Sequence, residues 1–114
     1  MLFRSEAFAT ARRLGVPTGL FIDVLKAGLP NSRMLELYAP RFLNGEHPRT
    51  GSIAFGEKDL GLFIDVATEA GGFTPVAEGA HRLYEAMCGL GYEKEAPSML
   101  ADLLERCAAE LRKG

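Results

Sequence analysis

The first candidate for chemistry is a lysine at the start of an amphipathic segment, GEKDLGLFIDVA (residues 56–67). The apolar residues after Lys58 recur at the spacing of one helix face, so Lys58 is expected in the first turn of a helix. A cation there opposes the helix dipole and costs roughly 0.3–1 kcal/mol at an exposed site. Two explanations stay open. Lys58 pairs with Asp59 or Asp65, or it forms an anion-attracting corner together with the helix N-terminus.

Other patterns that carry chemistry are absent from the sequence. It contains no GxGxxG, GxxxxGKS/T, HExxH or GxSxG. Neither His47 nor His81 lies in a metal-ligand pattern, and we predict no metal site and no catalytic residue. Cys88 and Cys107 lie on apolar helical stripes and are interpreted as buried thiols, with a disulfide or metal site as the alternative. The carboxylates fit solvated helix faces: Glu36, Glu69, Glu85, Glu105 and Glu110.

Every periodic segment of the chain has the helical period, which predicts an all-α fold of about six helices. We expect helices over about 2–14, 17–28, 31–39, 57–70 and 75–89, and a sixth that carries an unbroken apolar stripe from Leu100 to Leu111. Pro40 should kink or end the third helix near Ala39. Residues 44–56 should form the longest loop. These elements predict a single helical domain over residues 1–114.

Two finer predictions concern individual faces of these helices. In the second helix, the residues Leu20, Phe21, Val24 and Leu25 should face inward. In the sixth helix, Asp102 and Arg106 can pair across one turn of the solvent face.

The composition excludes several classes of partner. The 114 residues are 47% hydrophobic and carry a net charge of −2, with both signs interspersed. Nucleic acids and anionic membranes need a concentrated basic surface, so neither is expected as a partner. No apolar run approaches the roughly 18 residues of a membrane span, and the N-terminus lacks a secretory pattern. We therefore expect a cytoplasmic protein.

The segment KDLGLFIDVATEAG (residues 58–71) resembles the cofactor-contacting segment of the β-hydroxyacid dehydrogenases. This family includes 3-hydroxyisobutyrate dehydrogenase and is related to 6-phosphogluconate dehydrogenase. Its KDLxLA pattern is matched by Lys58, Asp59, Leu60 and Leu62, with Phe63 where alanine is usual. The resemblance extends over SEAFATARRLGV, GLPNS, Pro75, Tyr84, the GLG of residues 89–91 and Ser98.

The resemblance covers only the C-terminal helical domain of that family and implies a bundle like the 6-phosphogluconate dehydrogenase C-terminal domain. The family's Rossmann domain and catalytic lysine have no counterpart here. By position, Lys58 is implied to reach toward the nicotinamide of NAD or NADP, which this chain alone would not bind tightly. Asp59 would then fix the helix start.

The resemblance implies one leading function and one alternative. The chain would be the helical half of an NAD(P)-dependent 3-hydroxyacid dehydrogenase, an oxidoreductase that is inactive alone. It would form the dimer surface and one wall of the cofactor and substrate cleft. Its partner would be a second copy or a separate Rossmann-domain chain. The alternative is a stand-alone helical dimerisation or interaction module without enzyme activity.

Overall fold

The computed structural model describes residues 2–47 and 51–113, without the side chains of residues 2–4. Its helices are α1 (Leu2–Arg13), α2 (Thr18–Ala27), α3 (Arg33–Asn44), α4 (Ile53–Glu69), α5 (Pro75–Gly89), α6 (Leu100–Arg106) and α7 (Ala108–Lys113), with a 3₁₀ turn at Pro97–Met99. The described residues contain no strand, and the all-α prediction is confirmed. None of the described helices is both long and apolar enough to cross a membrane.

The chain divides into two compact units. Unit 1 combines Met1–Pro48 with Ser98–Gly114, and unit 2 is Arg49–Pro97. The single domain over residues 1–114 stays a prediction. Part of the predicted 44–56 loop, residues 48–50, lies outside the described residues, and α4 begins at Ile53, so the loop is shorter than predicted.

An aromatic cluster forms the core of unit 1. The ring of Phe8 on α1 stacks on that of Phe42 on α3, with centroids 4.5 Å apart. Phe21 on α2 meets Phe8 edge-on at 5.2 Å. Offset-stacked and edge-to-face pairs are the favoured aromatic geometries, and each adds roughly 0.5–1.5 kcal/mol beyond its buried area. The other buried members of this core are Ile22, Leu35, Ala39 and Ala101.

The inward face of α2 differs from the predicted one. Phe21 and Leu25 pack on the core and Ile22 is buried, whereas Leu20 and Val24 are exposed. With about 100° between successive residues, Phe21, Ile22 and Leu25 share one face and the other two lie on the far side. The prediction of an inward Leu20 and Val24 is therefore wrong.

Pro40 lies inside α3, so of the two predicted effects, a kink or an end near Ala39, the end is wrong and the kink stays a prediction. The helix starts at Ser32, whose Oγ accepts a hydrogen bond from Leu35 N (3.1 Å), and it runs on to Gly45, which has φ +67°. Ala39 and Phe42, on either side of Pro40, are both buried in the core. Burial of these neighbours outweighs the lost backbone hydrogen bond at proline, which normally disfavours such a position.

The predicted sixth helix is divided at Cys107, where φ is −105° and ψ is 14°. The apolar stripe still faces inward at Leu100, Leu103 and Cys107, which are buried. Nothing in the described structure explains the break.

Arg12 joins three helices of unit 1. Its guanidinium pairs with Asp102 on α6, lies 3.7 Å from Oε2 of Glu105, and donates to the carbonyl oxygen of Phe42 at 3.2 Å. Asp102 therefore pairs with α1. The predicted pair between Asp102 and Arg106 is wrong, because no ion pair joins these two described residues. The pairing partner lies 90 residues away, beyond the reach of a local rule.

The helices of unit 2 pack closely because two positions on α4 lack side chains. A Cβ at Gly56 would lie 3.1 Å from Cε1 of Tyr84, and one at Gly61 would lie 3.3 Å from Nε2 of His81. The later residue of α4, Gly61, faces the earlier residue of α5, His81, so the two helices are antiparallel. The two glycines therefore determine how closely α4 and α5 approach each other.

We expect Gly56→Ala to be less stable than Gly79→Ala. A Cβ at Gly79, inside α5, would meet only Nη2 of Arg82 at 3.9 Å, so alanine there should stabilise by roughly 0.5–1 kcal/mol through helix propensity. At Gly56 the same gain is offset because the buried ring of Tyr84 must shift. Urea unfolding of both variants measures the difference. Equal or greater stability of Gly56→Ala would contradict close packing at this position.

We expect Asp102→Ala to lower the free energy of unfolding by roughly 1–3 kcal/mol, because the part-buried guanidinium of Arg12 loses its partner. Glu110→Ala on α7 is the control, since Glu110 is exposed and should change stability by less than about 0.5 kcal/mol. Thermal and urea unfolding give the values. Similar losses in both variants would show that the Arg12 pair contributes nothing.

Candidate functional site

Lys58 lies in the second turn of α4, not at its start. The helix begins four residues earlier than the sequence predicts, because Ser52 is its N-cap and accepts a hydrogen bond from Phe55 N at 3.2 Å. Serine immediately before an apolar run is a known helix-start signal, which the glycines around it obscured. The predicted position of Lys58 is wrong, and so is the role of Asp59 in fixing the helix start, since the first turn of α4 holds no acidic residue.

The N-terminal amides of α4 are occupied by the protein itself. Ile53 N donates to the carbonyl oxygen of Glu95 at 2.9 Å, and Ala54 N donates to that of Glu93 at 3.0 Å. With Phe55 N bonded to Ser52, the first three amides that commonly bind anions at a helix end are all satisfied. The expected anion-attracting corner of Lys58 and the helix N-terminus is therefore not formed.

The side chain of Lys58 is exposed and makes no ion pair with a described residue. The expected pairs with Asp59 and Asp65 do not form. At about 100° per residue, Lys58 lies on the solvent-facing side of α4, close to three exposed apolar side chains. These are Phe55, Leu62 and Val66. The combination is a free cation at the edge of an apolar stripe.

The structure brings two carboxylates to His81, a residue that lies in no metal-ligand pattern of the sequence. Nε2 of His81 lies 2.8 Å from Oε1 of Glu57 on α4, and Nδ1 lies 3.5 Å from Oε1 of Glu85. The i, i+4 spacing of His81 and Glu85 was a readable signal for this contact. The contribution of Glu57 depends on the packing of α4 against α5, which no local pattern reveals.

Both cysteines are free thiols, as interpreted from the sequence, with Cys107 buried and Cys88 half-buried. Burial raises the pKa of the Cys88 thiol, and the negative charges of Glu57, Glu93 and Glu85 raise it further. Cys88 therefore stays a neutral thiol at physiological pH and is a poor nucleophile.

A serine, a histidine and an aspartate meet in unit 1, although the sequence gives no nucleophile pattern. Nδ1 of His47 lies 2.8 Å from Oγ of Ser98, and Nε2 lies 3.5 Å from Oδ2 of Asp102. The Ser98 side chain is 0% exposed, so no substrate reaches it. These residues link the end of α3 to the start of α6, and we assign them a structural role.

Comparison with known proteins places the chain in a family. The profile described as NAD-binding of NADP-dependent 3-hydroxyisobutyrate dehydrogenase matches residues 1–104. L-threonate dehydrogenase of Escherichia coli K12 is 31% identical over 94 residues, which cover 82% of this chain and 31% of that protein. The mitochondrial 3-hydroxyisobutyrate dehydrogenase of Drosophila melanogaster is 26% identical over 113 residues, covering 93% of this chain and 35% of that protein.

A solved structure of the same family has a similar fold. The crystal structure of 3-hydroxyisobutyrate dehydrogenase from Salmonella typhimurium superimposes with a TM-score of 0.79 at 29% identity, covering 87% of this chain and 35% of that one. The chain thus spans about a third of the length of these relatives. Because the family profile covers almost all of the sequence, this chain belongs to the helical NAD-binding domain family of the 3-hydroxyisobutyrate dehydrogenases.

Proposed function

We propose that this chain is the helical half of an NAD(P)-dependent dehydrogenase of 3-hydroxyacids, and that Lys58 contacts the cofactor. Family membership supports the reaction class, and the names of the relatives support hydroxy acids as substrates. The observation that carries the role of Lys58 is its exposed, unpaired ammonium beside the apolar side chains of Phe55 and Leu62.

The residues present fit a single contact to such a cofactor. When bound, NAD(P) supplies the acceptor or donor of the hydride. Its pyrophosphate is normally held by free amides of a helix N-terminus in a Rossmann domain, and the α4 amides are taken by Glu93, Glu95 and Ser52. Lys58 would therefore donate one charge-assisted hydrogen bond, while another domain supplies the phosphate site. In this proposal the chain alone does not oxidise substrate.

We propose the cytoplasm as its compartment. The free thiols of Cys88 and Cys107 support a reducing environment.

We expect Lys58→Ala to weaken NADH or NADPH binding by the assembled enzyme roughly tenfold or more, the value of one charge-assisted hydrogen bond. The measurement is calorimetric titration of this chain combined with a protein that carries the Rossmann domain. The chain alone should bind either nucleotide much more weakly.

Lys94→Ala is the matched control, because Lys94 is also an exposed lysine of unit 2 without an ion pair among the described residues. It removes the same charge and should leave binding within about twofold, a change of less than half a kcal/mol. Equal effects of the two substitutions would refute a specific contact at Lys58.

A second candidate function is a stand-alone dimerisation module. The observation that favours it is the set of large apolar side chains that stay exposed in unit 1, including Leu20 and Val24 on α2. The others are Leu14, Leu29, Met34, Leu37 and Leu43. Exposed apolar surface of this kind is a common mark of protein contact. A second copy of the chain would cover α2, since most soluble oligomers are homo-oligomers with closed symmetry.

For this candidate we expect the purified chain to sediment as a dimer at micromolar concentration, and Val24→Ser to weaken the dimer about tenfold, because a partly buried valine contributes about 1.5 kcal/mol. Asp23→Ser is the control at the neighbouring exposed position of α2. A monodisperse monomer would contradict self-association through this face.

A further inference from the structure

Two helices of unit 2 bring three metal-ligating side chains together. A nitrogen of His81 and one carboxylate oxygen each of Glu57 and Glu85 all lie within 4.8 Å of one another. Two ligands of a tetrahedral zinc ion, at bond lengths of about 2.1 Å, are separated by roughly 3.4 Å. Nε2 of His81 lies 2.8 Å from Oε1 of Glu57, whereas the 3.5 Å contact of Glu85 is made to the other ring nitrogen, Nδ1. For one ion to be bound by all three residues, the 55% exposed side chain of Glu85 has to rotate toward the Nε2 side of the ring.

The backbone is shaped to hold the imidazole at this place. Gly61 follows Glu57 by one turn of α4, and a Cβ at Gly61 would lie 3.3 Å from Nε2 of His81. The ring therefore occupies space that any other residue at 61 would restrict. On α5, His81 and Glu85 share a face because they are four residues apart, a spacing found in helical metal sites.

The electrostatics of the cluster favour a cation. No lysine or arginine among the described residues lies within 4.0 Å of the Glu57 or Glu85 carboxylate, so His81 is their polar partner. The two carboxylates therefore place negative charge around a ring whose side chain is only 20% exposed. A divalent ion would neutralise them.

The ligand types determine which divalent ion fits. Ca²⁺ and Mg²⁺ select sites made of oxygen ligands, whereas imidazole suits borderline transition metals. We propose that Glu57, His81 and Glu85 form a binding site for a transition-metal ion of the Zn²⁺ class, with water as the remaining ligand. This site is independent of the function proposed for Lys58.

The test uses the purified chain without an affinity tag. Zn²⁺ affinity is measured by competition with a chromogenic chelator, and we expect one ion per chain. His81→Gln should weaken binding at least tenfold, since even residues that only orient a ligand contribute about 10–100-fold. Because exposed Glu85 can be changed without disturbing the core, Glu85→Gln serves as a second variant, and it should also weaken binding about tenfold.

Glu69→Gln is the matched control, because it removes one exposed carboxylate of α4 outside the cluster. It should leave the Zn²⁺ affinity unchanged, and millimolar Mg²⁺ should not displace the ion. Circular dichroism checks that every variant is folded.

The NMR spectrum of the imidazole nitrogens identifies the ligand directly, since the chain has only 2 histidines. Zn²⁺ should shift the resonances of His81 and leave those of His47 in place. The proposal is overturned if Zn²⁺ fails to bind at micromolar concentration, if His81→Gln or Glu85→Gln binds as tightly as the control, if Mg²⁺ displaces Zn²⁺, or if His47 shifts in place of His81.

Discussion

The close approach of α4 and α5 is the constraint on which unit 2 depends. It exists because Gly56 and Gly61 present bare backbone to Tyr84 and His81. This packing turns one side of α4 toward α5 and leaves Lys58 and its apolar neighbours facing solvent. It also brings Glu57 against His81. The free lysine and the histidine cluster thus lie on neighbouring sides of one helix, and the same contact positions both.

Local sequence signals were sufficient for most helices and failed where long-range contacts decide. The apolar period and the glycines at 15 and 71 predicted where α1 and α4 end, and both glycines adopt positive φ. Pro40 does not end α3, because the buried Ala39 and Phe42 stabilise the helix on both sides of it. Propensity is a weak local preference that tertiary packing can override.

The contrast between local sequence signals and long-range contacts also applies to the candidate site. The resemblance in KDLGLFIDVA drew attention to Lys58, and its free side chain agrees with a contact role. The predicted position of Lys58 at the helix start is wrong, because Ser52 is the N-cap of α4 and the carbonyls of Glu93 and Glu95 accept hydrogen bonds from its first amides. Those two carbonyls come from a segment about forty residues later, so no window of local sequence could reveal them. The Glu57–His81 contact was hidden for the same reason.

The order of contacts along the chain also has a consequence for folding during synthesis. Unit 2 is continuous, and its first helix pairs with the next, so it can form as soon as residues 51–97 have left the ribosome. Unit 1 is discontinuous: Arg12 meets Asp102 across 90 residues, and α1 packs on α6. Until α6 is made, the apolar face of α1 has no cover from it. This face of α1 thus stays open to aggregation and to chaperones until α6 has been synthesised and packs on it.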